Sequence, residues 1–436
     1  MGNDQDIFRS KTESDVTKEA SQPRVNDVEY VGREEALAVL GIKKESLYTY
    51  VSRGLIRTVR QSGKRTSLYR LSDIEKLGTR SSERAGQRSV ASTLRYGEPL
   101  VQTQVSEITA TGPRYRRQLA SDLVAEGHSF EYAADLIWTG LPPVRDSPWN
   151  VQLPLEPISL NYIMDWKKAD NMDPLDCLAE ITLKFVRHTA KEEISDGDAR
   201  TCGIPLIGVF SCASGLMGPR KAYQNADNNE YLAERLIKGL GLAEHPCADQ
   251  IAMLINAGLV LSIDNELSPP TFTARITAST GANLYQCVLS ALMAQAGPMQ
   301  VGGTYHLEWY LQSIINNHHR KSLAANVDIP CFDHPLYDKD PRAVILLEHL
   351  AAIPKAGPTR SILLDFVDRT HRTTSRYPNL FGALVILAMS LHLPKGTAAF
   401  LHTLARTSGW LAHAVEQRLS GQMVRPRARY ANNMVR

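Results

Sequence analysis

Apolar residues recur at intervals of three and four along most of this 436-residue chain, as amphipathic helices require, and the pattern lapses at its N-terminal end. Residues 1–27 carry no apolar periodicity and are expected to form a disordered tail. A compact unit is expected over residues 28–80. Within it, helical spacing over Glu34–Leu40 breaks at Gly41, and a second helix over Glu45–Arg53 ends at Gly54. Two short β-like pieces flank "QSGKR", whose Ser-Gly suits a tight turn. "SDIE" at Ser72–Glu75 has capping-box spacing and opens a third helix. The stretch "GTRSSERAGQRSV" (78–90) is rich in Ser, Arg and Gly, and residues 81–91 are expected to be a linker. From Ser92 onward the pattern is mainly helical, without βαβ alternation or internal repeat. "SFEYAADLIWTGLPP" is typical: Ser129 is placed to cap, Phe130, Ala133, Ala134, Ile137 and Trp138 share a face, and Gly140 ends the helix. The fold class expected is mainly α, a small N-terminal domain followed by a large helical one.

Composition narrows the class without naming a function. Hydrophobic content of 43% and charged content of 22% are those of an ordinary globular protein. A net charge of +3 is too small to direct the whole molecule to nucleic acid or membrane. No uninterrupted apolar run approaches the roughly 18 residues of a spanning helix, and the polar N-terminus lacks the apolar core of a secretion signal. Six cysteines (177, 202, 212, 247, 287 and 331) without metal-type spacing fit a reduced, cytoplasmic setting, and no metal is expected.

Charge is concentrated locally instead. Arg53, Arg57, Arg60, Lys64, Arg65 and Arg70 fall within 53–70 with no acidic residue between them, the kind of stripe that phosphate contact needs. With the helix, turn, helix and small wing, this unit resembles a winged helix-turn-helix of the MerR/excisionase type. That resemblance implies DNA as a partner; the alternative is a solvated face on a vestigial domain.

Several segments of the helical region, in order, resemble one family. "YRRQLASDLVAEGHSFEYAADLIWTGLPP" (115–143) is similar to the early helix pair of citrate synthases. "DNELSPPTFTARITASTGANLY" (264–285) resembles that family's D-H-E-L-N-x-S-T-F-x-x-R segment. "GPMQVGG" (297–303) falls where the family has G-P-x-H-G-G, and "IPCFDHPLYDKDPRA" (329–343) where it has I-P-G-x-G-H-x-x-Y-x-x-x-D-P-R. "YPNLFGALVIL", "ARTSGWLAHAVEQ" and "MVRPRARY" resemble the closing segments. The resemblance runs over about residues 92–431 and implies a citrate synthase-like domain over 92–436, with a small lobe at roughly 270–385.

In that family a carboxylate deprotonates the methyl of acetyl-CoA and a histidine stabilises the enol. A second histidine polarises the keto group of a 2-oxo acid, whose carboxylates are clamped by arginines. Carried onto this chain, the enol-stabilising histidine becomes Gln300, which still donates a hydrogen bond. The carboxylate base becomes Phe381, and loss of one positioned base typically costs ~10²–10⁴ in rate. The histidine that holds the oxo acid becomes Asn265. His334 keeps the keto-polarising position, and Arg342, Arg406 and Arg425 keep the clamp, Arg425 being expected to reach into the partner subunit's site of a homodimer. Gly302, Gly303 and Pro330 are expected at the CoA arm, with acyl-CoA as substrate and no cofactor.

Two further substitutions, Cys331 and Asp333, stand beside His334 where the family has glycine. They are either fillers or stand-ins for the missing proton or acyl-transfer group, and His306 is another stand-in for the missing histidine. Phe381 makes the base pocket apolar. It suits a bulkier or less polar acyl group, or a carbanion formed without base by decarboxylation of a malonyl-type thioester. The leading expectation is an acyltransferase joining a CoA thioester to a di- or tricarboxylic 2-oxo acid, with altered substrate or mechanism. The alternatives are a catalytically silent, organic-acid-sensing DNA-binding regulator and a plain scaffold.

Overall fold

A computed structural model describes residues 24–25, 28–40, 47, 51, 56–60, 67–71, 73–74, 101–151, 173–189, 198–316, 329–354 and 357–426. The chain divides into two compact units, Met1–Gln102 and Thr103–Arg436.

In the first unit β1 (Arg24–Val25), β2 (Val28–Val31), β3 (Thr58–Arg60) and β4 (Ser67–Arg70) form an antiparallel sheet in the order β1-β2-β4-β3, with α1 (Arg33–Leu40) between β2 and β3. Val31, Ala36, Leu47, Ile56, Tyr69 and Ile74 form its core. The two strands expected around "QSGKR" are β3 and β4; that turn, most of the second helix, and Ser72 and Glu75 lie outside the described residues. The expected tail is shorter than its polarity suggested. Arg24 and Val25 pair with Glu29 and Val28 through the main chain, which side-chain periodicity does not report.

The basic stripe also changes. Arg57 donates from Nη2 and Nε to the Asp73 carboxylate at 2.8 and 2.9 Å, and from its main-chain N at 3.1 Å. That hydrogen-bonded pairing holds the Asp73 carboxyl down at about 2. Arg57 therefore anchors the start of β3 to the helical residues Asp73 and Ile74; its partner stands three residues past the stripe. Arg53, Lys64 and Arg65, and the side chain of Arg60, lie outside the described residues.

The second unit opens with a three-stranded meander, β5 (Ser106–Thr109), β6 (Gly112–Tyr115) and β7 (Gln118–Leu119), in a region read as helical, and the helix pair expected within 115–143 follows it over Ala120–Ala125 and Phe130–Thr139. Arg116 and Arg117 take φ of 46° and 77°, the left-handed pair that a two-residue hairpin turn demands. Arg116 Nε, donating to the Ile137 carbonyl at 2.9 Å, fixes that turn. The helices follow: α2 (Ala120–Ala125), α3 (Phe130–Thr139), α4 (Pro174–Thr189), α5 (Ala199–Met217), α6 (Leu232–Gly239), α7 (Ala248–Ser262) and α8 (Pro269–Ser279). After them come α9 (Leu284–Gln295), α10 (Gly302–Asn316), α11 (Pro341–Ala352), α12 (Gly357–Thr374), α13 (Leu380–Ser390) and α14 (Thr397–Ser420).

On α3, Ser129 Oγ accepts from Tyr132 N at 3.0 Å and Gly140 ends the helix in the left-handed region, φ 77°, as the pattern predicted. α5 is long and apolar enough to cross a membrane by length and composition, but 78% of its apolar window is buried inside the protein. It is a core helix. α14 runs through the middle of the unit, buried continuously from Thr397 to Ala414, with α3, α4, α5, α7, α8, α9 and α13 packed on it. α10, α11 and α12 pack around α13.

A single glycine sets how closely α14 approaches the turn after α7. A Cβ on Gly409 would lie 2.4 Å from Asp264 Oδ1 and 2.5 Å from the Ile263 carbonyl oxygen. Overpacking of this kind costs about 1–3 kcal/mol or more. Gly409→Ala is therefore expected to lower the urea midpoint clearly without changing the slope of the transition; an unchanged midpoint would mean that α14 is not held this close.

Candidate active site

The site is built on two helix starts and one buried charge. Asp340 caps α11, Pro341 takes its first turn, and Arg342 folds back on the cap. The Asp340 carboxylate accepts from Arg342 Nε at 2.9 Å, Arg342 Nη2 at 2.8 Å and the Leu380 main-chain N at 3.0 Å. One carboxylate thus ties the start of α11 to the start of α13. The loop carrying His334 is pinned to the same place. Asn379 donates from its main-chain N to the Cys331 carbonyl at 2.9 Å and from Nδ2 to the Asp333 carbonyl at 3.0 Å.

Asp264 is the buried charge. Its carboxylate accepts from Ser106 Oγ, from Arg406 Nη1 at 3.1 Å, from His413 Nε2 at 3.2 Å and from Glu266 N at 2.9 Å. Burial opposes its ionisation, but His413 and Arg406 outweigh it and hold the group well below the usual carboxylate range. His413 is oriented from behind, because Arg275 Nη1 donates to its Nδ1 at 3.0 Å.

Beside these sits a small cavity of about 100 Å³, lined by Asn265, Gln300, His334, Arg342, Phe381 and His402, with Ser262, Ser268, Asn379, Leu380 and an edge of Asp264 completing it. Arg342 Nη1 donates to Asn265 Oδ1 at 3.2 Å, which leaves the Asn265 amide N–H groups as donors. His334 Nδ1 accepts from the Leu336 main-chain N at 3.2 Å, while Arg342 Nη2 stands 3.4 Å from its Nε2. Both neighbours are donors, and a neutral imidazole has one lone pair, so the ring accepts from only one of them at a time. Burial, then the charge of Arg342, lowers the ring's affinity for a second proton, so His334 stays neutral. The Phe381 ring packs against Leu175, Val301, Tyr305 and Ala399 and lies 4.3 Å from the His402 ring.

Five of the residues expected at the site, Asn265, Gln300, His334, Arg342 and Phe381, therefore meet in one cavity. Others do not. The Asp333 side chain is 66% exposed and pairs with Arg376 at 3.3 Å, so it faces solvent while its neighbour His334 faces inward. The Cys331 thiol is pushed up to about 12 by burial, which leaves it protonated and a poor nucleophile. His306 is exposed on α10 away from the cavity. Arg406 lies beneath the site rather than in it, spending its donors on Asp264, on Ser268 Oγ at 2.9 Å and on Thr271 Oγ1 at 2.6 Å. Arg425 is exposed past the end of α14. Gly302, Gly303 and Pro330 do not line the cavity, and Gly303 is accounted for by Cys331, whose Sγ lies 3.1 Å from where a Cβ would stand. His402 is the residue that the sequence reading missed. The signal was its place one helical turn before Arg406, on the same face of an otherwise apolar run.

Helical body, capping carboxylates and a donor-lined cavity together define a mainly helical protein with one polar cavity at the helix starts. The family model of the citrate synthase C-terminal domain matches residues 95–427. The chain belongs to the citrate synthase family. It is 30% identical over 352 residues to citrate synthase of Synechocystis sp., covering 76% of this chain and 88% of that protein. It is 31% identical over 192 residues to citrate/2-methylcitrate synthase of Bacillus subtilis, a match spanning 41% of this chain and only 50% of that protein's length. Among solved structures, that of Thermoplasma acidophilum citrate synthase, a ternary complex with carboxymethyl coenzyme A and oxaloacetate, superposes with a TM-score of 0.62 at 19% identity over 78% of this chain and 95% of that one. The Thermotoga maritima enzyme gives a TM-score of 0.59 at 22% identity with the same coverage. At such identities the structures establish the fold.

Two outcomes follow from the geometry. Asp264→Asn leaves Arg406 buried without its counter-charge, and breaking such a pair costs roughly 3–5 kcal/mol. Because the folded carboxyl titrates below the unfolded value of about 3.9, the wild-type pair contributes fully above that value and is lost as the pH falls through the folded one. Urea midpoints of the two proteins should therefore differ at pH 7 and begin to draw together only as the pH falls below about 3.9; equal midpoints at pH 7 would remove Asp264 from its structural role. By contrast, Asp333→Ala should change the unfolding free energy, read from urea titration, by no more than about 1 kcal/mol, since surface pairs contribute little; a larger loss would place Asp333 in a buried network.

Proposed function

We propose that this chain joins an acyl-CoA thioester to a di- or tricarboxylic 2-oxo acid, forming the acyl carbanion by decarboxylation rather than by a carboxylate base. The observation that carries this reading is the pairing of Phe381, where a base is expected, with an intact set of donors for the oxo acid in the same cavity. Asp264 is the one carboxylate there among the described residues, and its oxygens are held by four donors. In a malonyl-type thioester the bond to the terminal carboxylate breaks and CO₂ leaves. The electron pair passes through the enolate and forms the new bond to the keto carbon. His334 and Arg342 hold the keto oxygen as it becomes an alkoxide, water protonates it, and hydrolysis of the thioester releases the CoA thiol.

The exposed position of Arg425 beyond α14 supports a homodimer in which it completes the partner subunit's site. The antiparallel sheet with α1 inserted supports a winged helix-turn-helix reading of the N-terminal unit. The lack of a free base among the described cavity residues also favours a second reading, an acid-sensing regulator that binds without turning over.

Thiol release from malonyl-, acetyl- and propionyl-CoA with oxaloacetate separates the two. Malonyl-CoA should react at least about tenfold faster than acetyl-CoA, whose route lacks a base worth ~10²–10⁴ in rate, and CO₂ should appear in step with thiol. Silence with every thioester, together with stabilisation by oxaloacetate in a thermal scan and salt-dependent retention on DNA, would replace the enzyme with the regulator.

A further inference from the structure

We propose that His402 donates its Nε2–H to the thioester oxygen of the bound acyl-CoA and so stabilises the enolate, with Gln300 on the adjoining loop as an auxiliary donor. The proposal rests on the acyl-CoA reading of the site.

His402 lines the same cavity as Gln300, His334 and Phe381 and is only 6% exposed. Its Nδ1 lies 3.1 Å from the side-chain amide of Gln295, the last residue of α9. An amide nitrogen donates and does not accept, so Nδ1 takes that hydrogen bond with its lone pair and the ring proton sits on Nε2. Gln295 is itself 1% exposed, and its main-chain carbonyl accepts from Val301 N at 3.3 Å, so the residue that sets the tautomer stands on a fixed backbone. On the other side the Phe381 ring packs at 4.3 Å and 39° against the imidazole, fixing its plane and keeping water from it. A ring gripped this way has one free polar atom.

The surroundings also keep it uncharged. Burial first, and then the nearby positive charges of Arg406 and Arg342, set the ring well below its ordinary titration range. A neutral imidazole N–H is a weak acid that hydrogen-bonds an enolate oxygen without surrendering its proton, the part that a preorganised donor in a water-poor site performs best. Gln300 is less firmly placed. It follows Met299, which is 96% exposed, on a turn closed by Gln300 N to the Gly297 carbonyl at 2.9 Å. The electron balance needs nothing further. The pair left by CO₂ resides on the oxygen held by His402 and returns to make the carbon–carbon bond, while His334 receives the alkoxide, so two neutral imidazoles serve two oxygens.

The test compares wild type, His402→Phe and His402→Gln for thiol release with malonyl-CoA, for oxaloacetate affinity, and for affinity to carboxymethyl-CoA, whose carboxylate oxygen stands in for the enolate. Loss of one such donor is worth ~10²–10³ in kcat. His402→Phe should lose about 100-fold in kcat and at least about tenfold in carboxymethyl-CoA affinity while holding oxaloacetate within threefold, and His402→Gln, which keeps a donor, should fall between. Unchanged kcat in His402→Phe overturns the assignment while leaving the enzyme reading intact. If wild type releases no thiol from any thioester, the enzyme reading fails, and the carboxymethyl-CoA comparison alone decides: a tenfold loss supports His402 as the oxygen's donor and equal affinities overturn it. Should His402→Phe not fold, as seen by loss of oxaloacetate binding, His402→Gln decides on the same criteria, with wild-type values overturning the assignment.

Discussion

Everything in the helical unit is arranged around a carboxylate that has no water to turn to. Asp264 is fully buried and ionised, and an isolated charge in such a place would be intolerable. It persists because β5 supplies Ser106, its own turn supplies Glu266 N, and α14 supplies Arg406 and His413. α8 joins through Arg275, which orients His413 and also bonds Gln417 and Glu416 on α14 at 3.0 and 2.5 Å. Glu416 in turn accepts from Thr103 and Gln104, both at 2.7 Å, which draws the segment before β5 onto the same helix. Satisfying one charge thus fixes three stretches of chain that are far apart in sequence, around residues 103–106, 264–275 and 406–417, and the wall of the cavity is among them.

That arrangement separates what the site keeps from what it has given up. The capping carboxylate Asp340 holds Arg342 and the start of α13, and neither Asp340 nor Asp264 has an oxygen to spare for proton abstraction. Both acids are structural. The groups that face the cavity include donors: the Asn265 amide, Arg342, Gln300 and two imidazoles, of which His402 has its proton placed on Nε2 by Gln295 bonded to Nδ1. A site of donors without a free base favours substrates that arrive carrying negative charge, or that generate it by losing a neutral fragment, over those that must be deprotonated.

Much of this was legible in the chain, and the reasons for the exceptions are physical. Ser129 and Gly140 announced α3 because capping is a local property of adjacent residues. Asn265, Gln300, His334, Arg342 and Phe381 were found because ordered motifs carry their own spacing. The β5–β7 meander was missed because its turn places two arginines in the left-handed region, held by long-range contacts to Ile137 and Gln104 that no window of sequence contains. Asp333 was taken for a site residue because it adjoins His334, yet consecutive residues in an irregular loop point apart, and it meets Arg376 instead. Arg406 was taken for a clamp when its donors belong to Asp264, a partner 142 positions away. His402 was overlooked because a histidine in an apolar helix reads as core until the fold shows which face opens onto the cavity.

The same facts explain how the reactive groups can change without the fold changing. The cavity owes its shape to Asp264, Asp340 and the caps, and none of these takes part in bond making. Phe381 stands at the start of α13, where Asn379 caps the helix and Asp340 holds the Leu380 amide, so the backbone there is set before the side chain at 381 matters. The ring then finds an apolar patch in Leu175, Val301 and Ala399, and burying an aromatic ring of this size contributes a few kcal/mol where an unpaired carboxylate would cost energy. His402 is held as independently, by Gln295 on one side and the Phe381 ring on the other. A frame that does not depend on the chemistry it encloses allows a polar group to be lost on one helix and another to be offered from the next.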